Sequence, residues 1–172
     1  TDNISLDQLQ GLLELIPHDK MTVAHNAAGF EIPVLFNAFG QKWASNGWRG
    51  MFPNMVDSRI AASYWDENQP SHGLKQLSAK LLDYQQQTYE EVTEGRKMDA
   101  LTAQHVLSYG LDDVFCTVGV WNLFVTVMKL EKTWDAFIRV EQQPMYLSAL
   151  SYVQGTPISL ERLFKLKAED EN

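Results

Sequence analysis

Cysteine is almost missing from this chain: Cys116 is the one thiol in 172 residues. An internal disulfide is therefore excluded, and the composition fits a reducing compartment. No apolar run approaches the roughly 18 residues of a membrane span. The opening Thr1-Asp2-Asn3-Ile4 has no basic region leading into an apolar stretch, so no secretory leader is read there. Internal repeats and low-complexity tracts are absent too. Basic charge is scarce, with 14 Lys and Arg against 22 Asp and Glu and a formal net charge of −8. That excludes a protein that holds duplex nucleic acid mainly by neutralising phosphates with its own side chains. It leaves open chemistry in which metal ions bring the positive charge to a phosphate. What remains is an ordinary globular composition, 45% hydrophobic and 21% charged, long enough for one self-sufficient core.

Ser5, with Gln8 three residues on, opens an apolar-periodic stretch through Leu6, Leu9, Leu12, Leu13 and Ile16, a capped helix ended by Pro17. Met21 to Ala24 reads as a short buried strand. His25 to Gly29 then lead into a helix from Phe30 to Phe39, with Gly40 as its stop, and residues 41–56 read as an irregular connection. Asp57 caps a short helix through Tyr64, Asp66 to Ser71 turns, and Leu74, Leu77, Leu81 and Leu82 mark another helix. Tyr84 to Lys97 is polar with ambiguous helical character. From Asp99 the longest apolar-periodic segment runs to about Met128. A helical patch from Trp134 to Val140 is interrupted at Pro144, Gly155-Thr156-Pro157 breaks the chain again, and Ala168 to Asn172 forms a charged, frayed tail. A lone strand cannot satisfy its own backbone groups. This helix-strand-helix opening thus looks like the middle of an α/β sheet whose first strands are absent.

Two short constellations carry chemistry. In Val23-Ala24-His25-Asn26-Ala27-Ala28-Gly29-Phe30-Glu31 a strand ends, small residues turn, and a helix starts with an aromatic and a carboxylate. Ligands of open α/β sheets bind beyond the carboxyl ends of strands, although an acid in a first helical turn is favoured by the dipole in any case. In Tyr109-Gly110-Leu111-Asp112-Asp113, Tyr109 and Asp113 are four apart and share a helix face. A phenol beside a carboxylate positions a water or a phosphate oxygen, or is simply a surface hydrogen bond. Spacing from Tyr109 favours Asp113 over Asp112. Asp57 reads as a cap rather than a ligand, the five tryptophans as packing anchors, and Cys116 as inert.

Together these segments resemble the second and third motifs of the DEDD exonuclease superfamily, the latter in its tyrosine form. The second has Asn, two or three residues, then an aromatic and an acid, and the third has Tyr-x3-Asp. Val56-Asp57-Ser58-Arg59 with Tyr64, Leu74-Lys75-Gln76-Leu77-Ser78, and Glu141-Gln142-Gln143-Pro144 with Leu147, Leu150 and Gly155 are similar to stretches of the proofreading domains of family A DNA polymerases. Bacteriophage members with His-Asn-Ala-x-Phe-Glu look similar. The chain departs from the family in carrying Glu31 where Asp is usual, and no Asp-x-Glu, the first motif, occurs in it.

The resemblance implies an α/β, ribonuclease H-like exonuclease fold, truncated at its N-terminus and so mainly helical with one or few strands. Residues 1–140 would be a partial 3′–5′ exonuclease domain and 141–172 the start of a connection to a polymerase domain. It further implies two-metal hydrolysis at the 3′ end of single-stranded DNA, with Mg²⁺ or Mn²⁺ held by Glu31 and Asp113. Tyr109 would act with these two acids in catalysis, while Asn26, Phe30 and His25 would contact the DNA. A purely structural role for His25 stays open. The missing acids would come from other polymerase segments, in cis or as a separate chain, and the protein would work in the cytoplasm, of a host if viral, with no membrane. A non-catalytic module of a larger or split polymerase, and an RNA-directed exonuclease of the same superfamily, are the alternatives.

Overall fold

Burial without alternation decides where the sheet lies. A computed structural model describes residues 4–45, 52–155 and 157–170, with 41–45 as backbone alone. Strand β1 (Thr22–Ala24) pairs in parallel with β2 (Met55–Asp57), in the register Thr22 to Met55, Val23 to Val56 and Ala24 to Asp57. The sequence pattern leads one to expect a lone strand and an irregular stretch over 41–56. The second strand corrects that. It is only three residues long and buried at all three, so it shows neither length nor period.

Helix α1 (Leu6–Glu14) starts at Ser5 with the expected reciprocal cap: the Ser5 hydroxyl accepts the Gln8 amide and the Gln8 side chain accepts that of Ser5. Helix α2 (Glu31–Ser45) crosses from β1 to β2. It does not stop at Gly40, which lacks the positive φ of a helix-ending glycine. It bends instead at buried Phe39 and continues. Asp57 caps α3 (Ser58–Trp65) by accepting the Arg59 amide at 2.8 Å. Then come α4 (Leu74–Leu81), the short α5 (Tyr89–Thr93), a 3-10 turn over Met98–Ala100, and α6 (Ala103–Leu130), which Thr102 caps. The result is a mainly helical α/β chain with a two-stranded parallel sheet.

Helix α7 (Trp134–Ala136) widens into a π-helical turn over Phe137–Gln142 before α8 (Met145–Gln154). Pro144 therefore opens a helix rather than merely breaking one. Without an N–H to donate, it leaves the preceding turn free to widen. That turn presents buried Gln142 to the outer edge of β2, where its Oε1 accepts the Asp57 amide at 2.9 Å and its Nε2 donates to the Asp57 carbonyl at 3.2 Å. One turn on, the Tyr146 hydroxyl accepts the Met55 amide at 2.9 Å and donates to the Phe52 carbonyl at 2.7 Å. Two side chains thus do at this edge what a third strand would do.

The core has two parts. Ile32, Phe39, Phe52, Met55, Met145, Tyr146 and Ala149 pack α2 against α8. Val56, Leu77, Val120, Trp121, Phe124 and Phe137 pack α3 and α4 against α6. Trp65, Trp121 and Trp134 serve as packing anchors around Phe124 and Phe137, while the side chains of Trp43 and Trp48 lie outside the described residues. By length and composition α6 is apolar enough to cross a membrane, which the search for an unbroken apolar run misses because Thr117, Asn122 and Thr126 punctuate it. Its buried positions are used in the core. The expected frayed tail is, through Asp170, the end of an exposed helix α9 (Leu160–Asp170).

Replacing Gln142 by Leu strands a buried N–H and C=O of Asp57. It should cost about 2–4 kcal/mol, against about 1–3 kcal/mol for Tyr146→Phe. Urea unfolding of the two variants checks this, and a neutral Gln142→Leu would show that water replaces the side chain at the edge.

Candidate functional site

Asp57 supports one wall of the site from behind. Its Oδ1 accepts the amides of Asn26 at 2.9 Å and Arg59 at 2.8 Å, and its Oδ2 lies 3.4 Å from the Ala28 amide. One buried carboxylate thereby joins the turn after β1 to the start of α3. Within that turn the Asn26 carbonyl accepts the amides of Gly29 and Phe30, both at 3.0 Å. Asn26 itself sits at φ 71°, a left-handed conformation that asparagine tolerates better than most residues. A side chain at Gly29 would collide with the Asn26 carboxamide, its Cβ coming within 2.8 Å of Oδ1. The small residues of the turn are thus there to let Asn26 fold back over it. Phe30 is left largely exposed, and Glu31 opens α2.

His25 is committed to the fold. Its Nδ1 is 2.9 Å from the Ser58 hydroxyl and its Nε2 is 3.0 Å from the His72 carbonyl. Burial holds its pKa below the usual histidine value, with the Asp57 charge opposing in part. Nε2, facing a carbonyl, donates to it, while the Ser58 hydroxyl stands between Nδ1 and the Ala24 carbonyl, 3.2 Å away. Both ring nitrogens are used, so the structural role left open by the sequence is the one its hydrogen bonds serve.

The other wall comes from α6. Asp113 Oδ1 accepts the side-chain amide of buried Gln86 at 2.8 Å, and Gln86 Oε1 lies 3.0 Å from the Ser78 hydroxyl. Asp112 turns away and accepts the Tyr84 hydroxyl at 2.8 Å. One turn before Asp113, the Tyr109 ring lies under the Lys75 ammonium, 4.4 Å from its centroid.

His25, Asn26, Phe30, Glu31, Tyr109 and Asp113 all line one pocket of about 750 Å³. Asp112 and Asp57 are not among its lining residues. The same pocket takes in Arg59, Lys75 and Gln76. Arg59 and Lys75 stand within stretches noted for other reasons and had no signal of their own. Gln86, which orients Asp113, lies in the polar segment Tyr84 to Lys97, where no periodicity marks it.

The Glu31 carboxyl has one oxygen, Oε2, that is buried and has no hydrogen-bond partner. Burial, chiefly, holds its pKa above the usual glutamate value. A proton or a cation would satisfy that oxygen. With Asp113 in the same pocket, the donors suit a hard divalent ion in kind. Among the described residues no three acidic, histidine or cysteine side chains gather where they could hold a metal ion.

Glu31 and His25 should tilt stability with pH in opposite senses. Folded Glu31 holds its proton more tightly than unfolded, so stability falls as pH rises from about 4.5 through the raised folded value. Folded His25 holds its proton less tightly, so stability falls as pH drops below about 6.5. Glu31→Gln should therefore stabilise the chain at pH 7.5 and change little at pH 4. Urea melts at both values test this, and an equal effect at the two would show that charge burial is not the cause. In comparisons with known proteins, no family model and no curated protein matches this chain.

Proposed function

We propose that this pocket is part of a 3′–5′ exonuclease site of ribonuclease H-like fold, hydrolysing the terminal phosphodiester of single-stranded DNA as in proofreading domains of family A polymerases. One observation carries the reading. Residues taken from two separate sequence motifs, Asn26, Phe30 and Glu31 at the start of α2 and Tyr109 and Asp113 on α6, line one pocket, and Glu31 has a buried carboxylate oxygen without a hydrogen-bond partner.

Glu31 and Asp113 are the residues that would hold Mg²⁺ or Mn²⁺, and the bound ions would supply the charge stabilisation of attacking and leaving oxygens. The exposed ring of Phe30 gives the terminal base a stacking face that accepts any base. Asn26 contacts the same nucleotide through its carboxamide. The Tyr109 hydroxyl orients the water that adds across the P–O3′ bond, leaving a nucleoside 5′-monophosphate and a shortened strand with a free 3′-hydroxyl. Gln86 holds Asp113 in one rotamer for this task.

The further acids belong, in this reading, to another segment in cis or in a separate chain. Two surfaces favour such a partner. Because Thr22 donates to the Asn54 carbonyl on the β2 side, the Val23 amide and carbonyl face the opposite edge of β1. On α6, Leu107, Leu111, Val114, Phe115 and Val118 form an exposed apolar stripe at helical spacing. A strand laid along β1 would answer both. A non-catalytic module of a polymerase is the competing reading, since an acidic chain with only two candidate ligands need not hold a metal.

Mn²⁺ should raise the melting temperature of the chain, and Glu31→Gln and Asp113→Asn should each remove the rise. No Mn²⁺ effect on the unsubstituted chain would favour the non-catalytic reading. The chain alone should degrade single-stranded oligonucleotides only feebly, and rapid degradation would sink the claim that other acids are needed. In protein supplied with those acids, Asp113→Ala should abolish hydrolysis and Tyr109→Phe should lower kcat on the order of 100-fold. DNA should be preferred to RNA of the same sequence, and the reverse preference would point to an RNA-directed enzyme.

A further inference from the structure

The pocket carries two cations, Arg59 and Lys75, that form no salt bridge among the described residues. Acids outnumber bases 22 to 14 in this protein, yet the ion pairs seen among the described residues are Lys20 with Asp19 and Arg96 with Glu94, none of which lines the pocket. Arg59 instead donates from Nη1 to the Asn26 side-chain oxygen at 2.9 Å. Lys75 donates to the Gln87 carbonyl and caps the Tyr109 ring. The hydrogen-bond and ring partners named here are neutral, the Glu91 carboxylate feels the Lys75 charge, and both cations line the pocket together with Glu31 and Asp113.

An anionic strand approaching two carboxylates is repelled unless positive charge stands nearby. We infer that Arg59 and Lys75 form a phosphate clamp for single-stranded DNA, gripping the backbone from the two walls of the pocket independently of any metal. This assignment rests on the exonuclease reading for the identity of its ligand. Arg59 spends one of its five N–H donors on Asn26 and keeps a planar fork for a phosphate. It also fixes the orientation of the Asn26 carboxamide. A guanidinium has no acceptor, so the atom facing it is the oxygen, and the Asn26 NH₂ group is left to the ligand. Lys75 retains two further N–H donors as a point charge beside Tyr109. Arg59 belongs to the β2–α3 wall and Lys75 to α4, so the pair flanks the strand rather than marking one spot.

The test is binding, not hydrolysis. Fluorescence anisotropy of a labelled eight-nucleotide oligo(dT) is measured with the 172-residue chain in EDTA over a series of salt concentrations. The unsubstituted chain should bind, with affinity falling as salt rises. Arg59→Gln and Lys75→Gln should each weaken binding several-fold and remove about 0.7 from the slope of log K against log salt, the amount for one single-strand phosphate contact. Lys97→Gln, an exposed change outside the pocket, should leave both unchanged. Lys75→Arg should keep the slope. Arg59→Lys should keep the slope but bind more weakly, because the forked contacts are lost. Thermal melts report folding, and the charge-retaining variants serve where a glutamine variant melts early. Absence of oligonucleotide binding at low salt overturns the clamp, as does an unchanged slope in both glutamine variants or an equal loss in Lys97→Gln. Because EDTA removes metal, these outcomes are separate from the Mn²⁺ result: a clamp without Mn²⁺ binding leaves a single-strand binding module, and Mn²⁺ binding without a clamp leaves the metal site and removes this assignment.

Discussion

The carboxylate of Asp57 is the constraint on which the rest of this structure depends. It is almost fully buried and made tolerable there by accepting backbone amides from two otherwise separate segments. A buried charge is stable only when its lone pairs are met. The turn after β1 and the start of α3 therefore have to converge on it. Gln142 completes the arrangement from behind by pairing with the amide and carbonyl of the same residue. One residue thus ends a strand, caps a helix, ties down a turn and anchors the sheet edge. Asn26 can hold its left-handed conformation, and Phe30 and Glu31 their positions, because that turn has nowhere else to go.

The opposite wall is held by different physics. Helix α6 is fixed by apolar packing of Cys116, Val120, Trp121, Phe124 and Met128 along its buried side. Its polar residues then take up local partners. Tyr84 draws Asp112 away while Gln86 receives Asp113, so two adjacent and chemically identical acids acquire different surroundings. Cys116 lies within the buried face, where burial holds its thiol above the ordinary cysteine value and leaves it an inert packing group. The site is consequently assembled from a hydrogen-bonded turn on one side and a packed helix on the other. Its chemistry depends on how these two supports meet.

The pocket mixes signs that the composition keeps apart. A chain with an excess of acids places an unpartnered glutamate oxygen, an aspartate, a guanidinium and an ammonium around one volume. Carboxylates alone would suit a cation, and cations alone an anion. Both together suit a phosphodiester that meets a metal at one oxygen and side chains at others. The exposed stripe on α6 and the outward-facing backbone of Val23 add an apolar surface and a strand edge beside the same pocket. In the exonuclease reading proposed above, those are the features a further segment would use to bring the remaining acids.

Local chemistry was readable from the residues in order. Ser5 with Gln8 and Asp57 before Ser58 announced their caps because capping depends on side chains within three residues. Helices α4 and α6 announced themselves through periodicity, and Tyr109 and Asp113 through their shared face. Tertiary structure alone decided the second strand, since three buried residues carry no period. It also let a helix resume beyond the break at Phe39, next to the Gly40 stop that the sequence signals. It tied both ring nitrogens of His25 to groups 33 and 47 residues away. It recruited Arg59 and Lys75 to the pocket, brought Gln86 to Asp113, and put Gln142 where a strand would otherwise be needed. The division follows range: an interaction between near neighbours leaves its mark in the order of residues, and one formed between distant segments leaves none until the chain is folded.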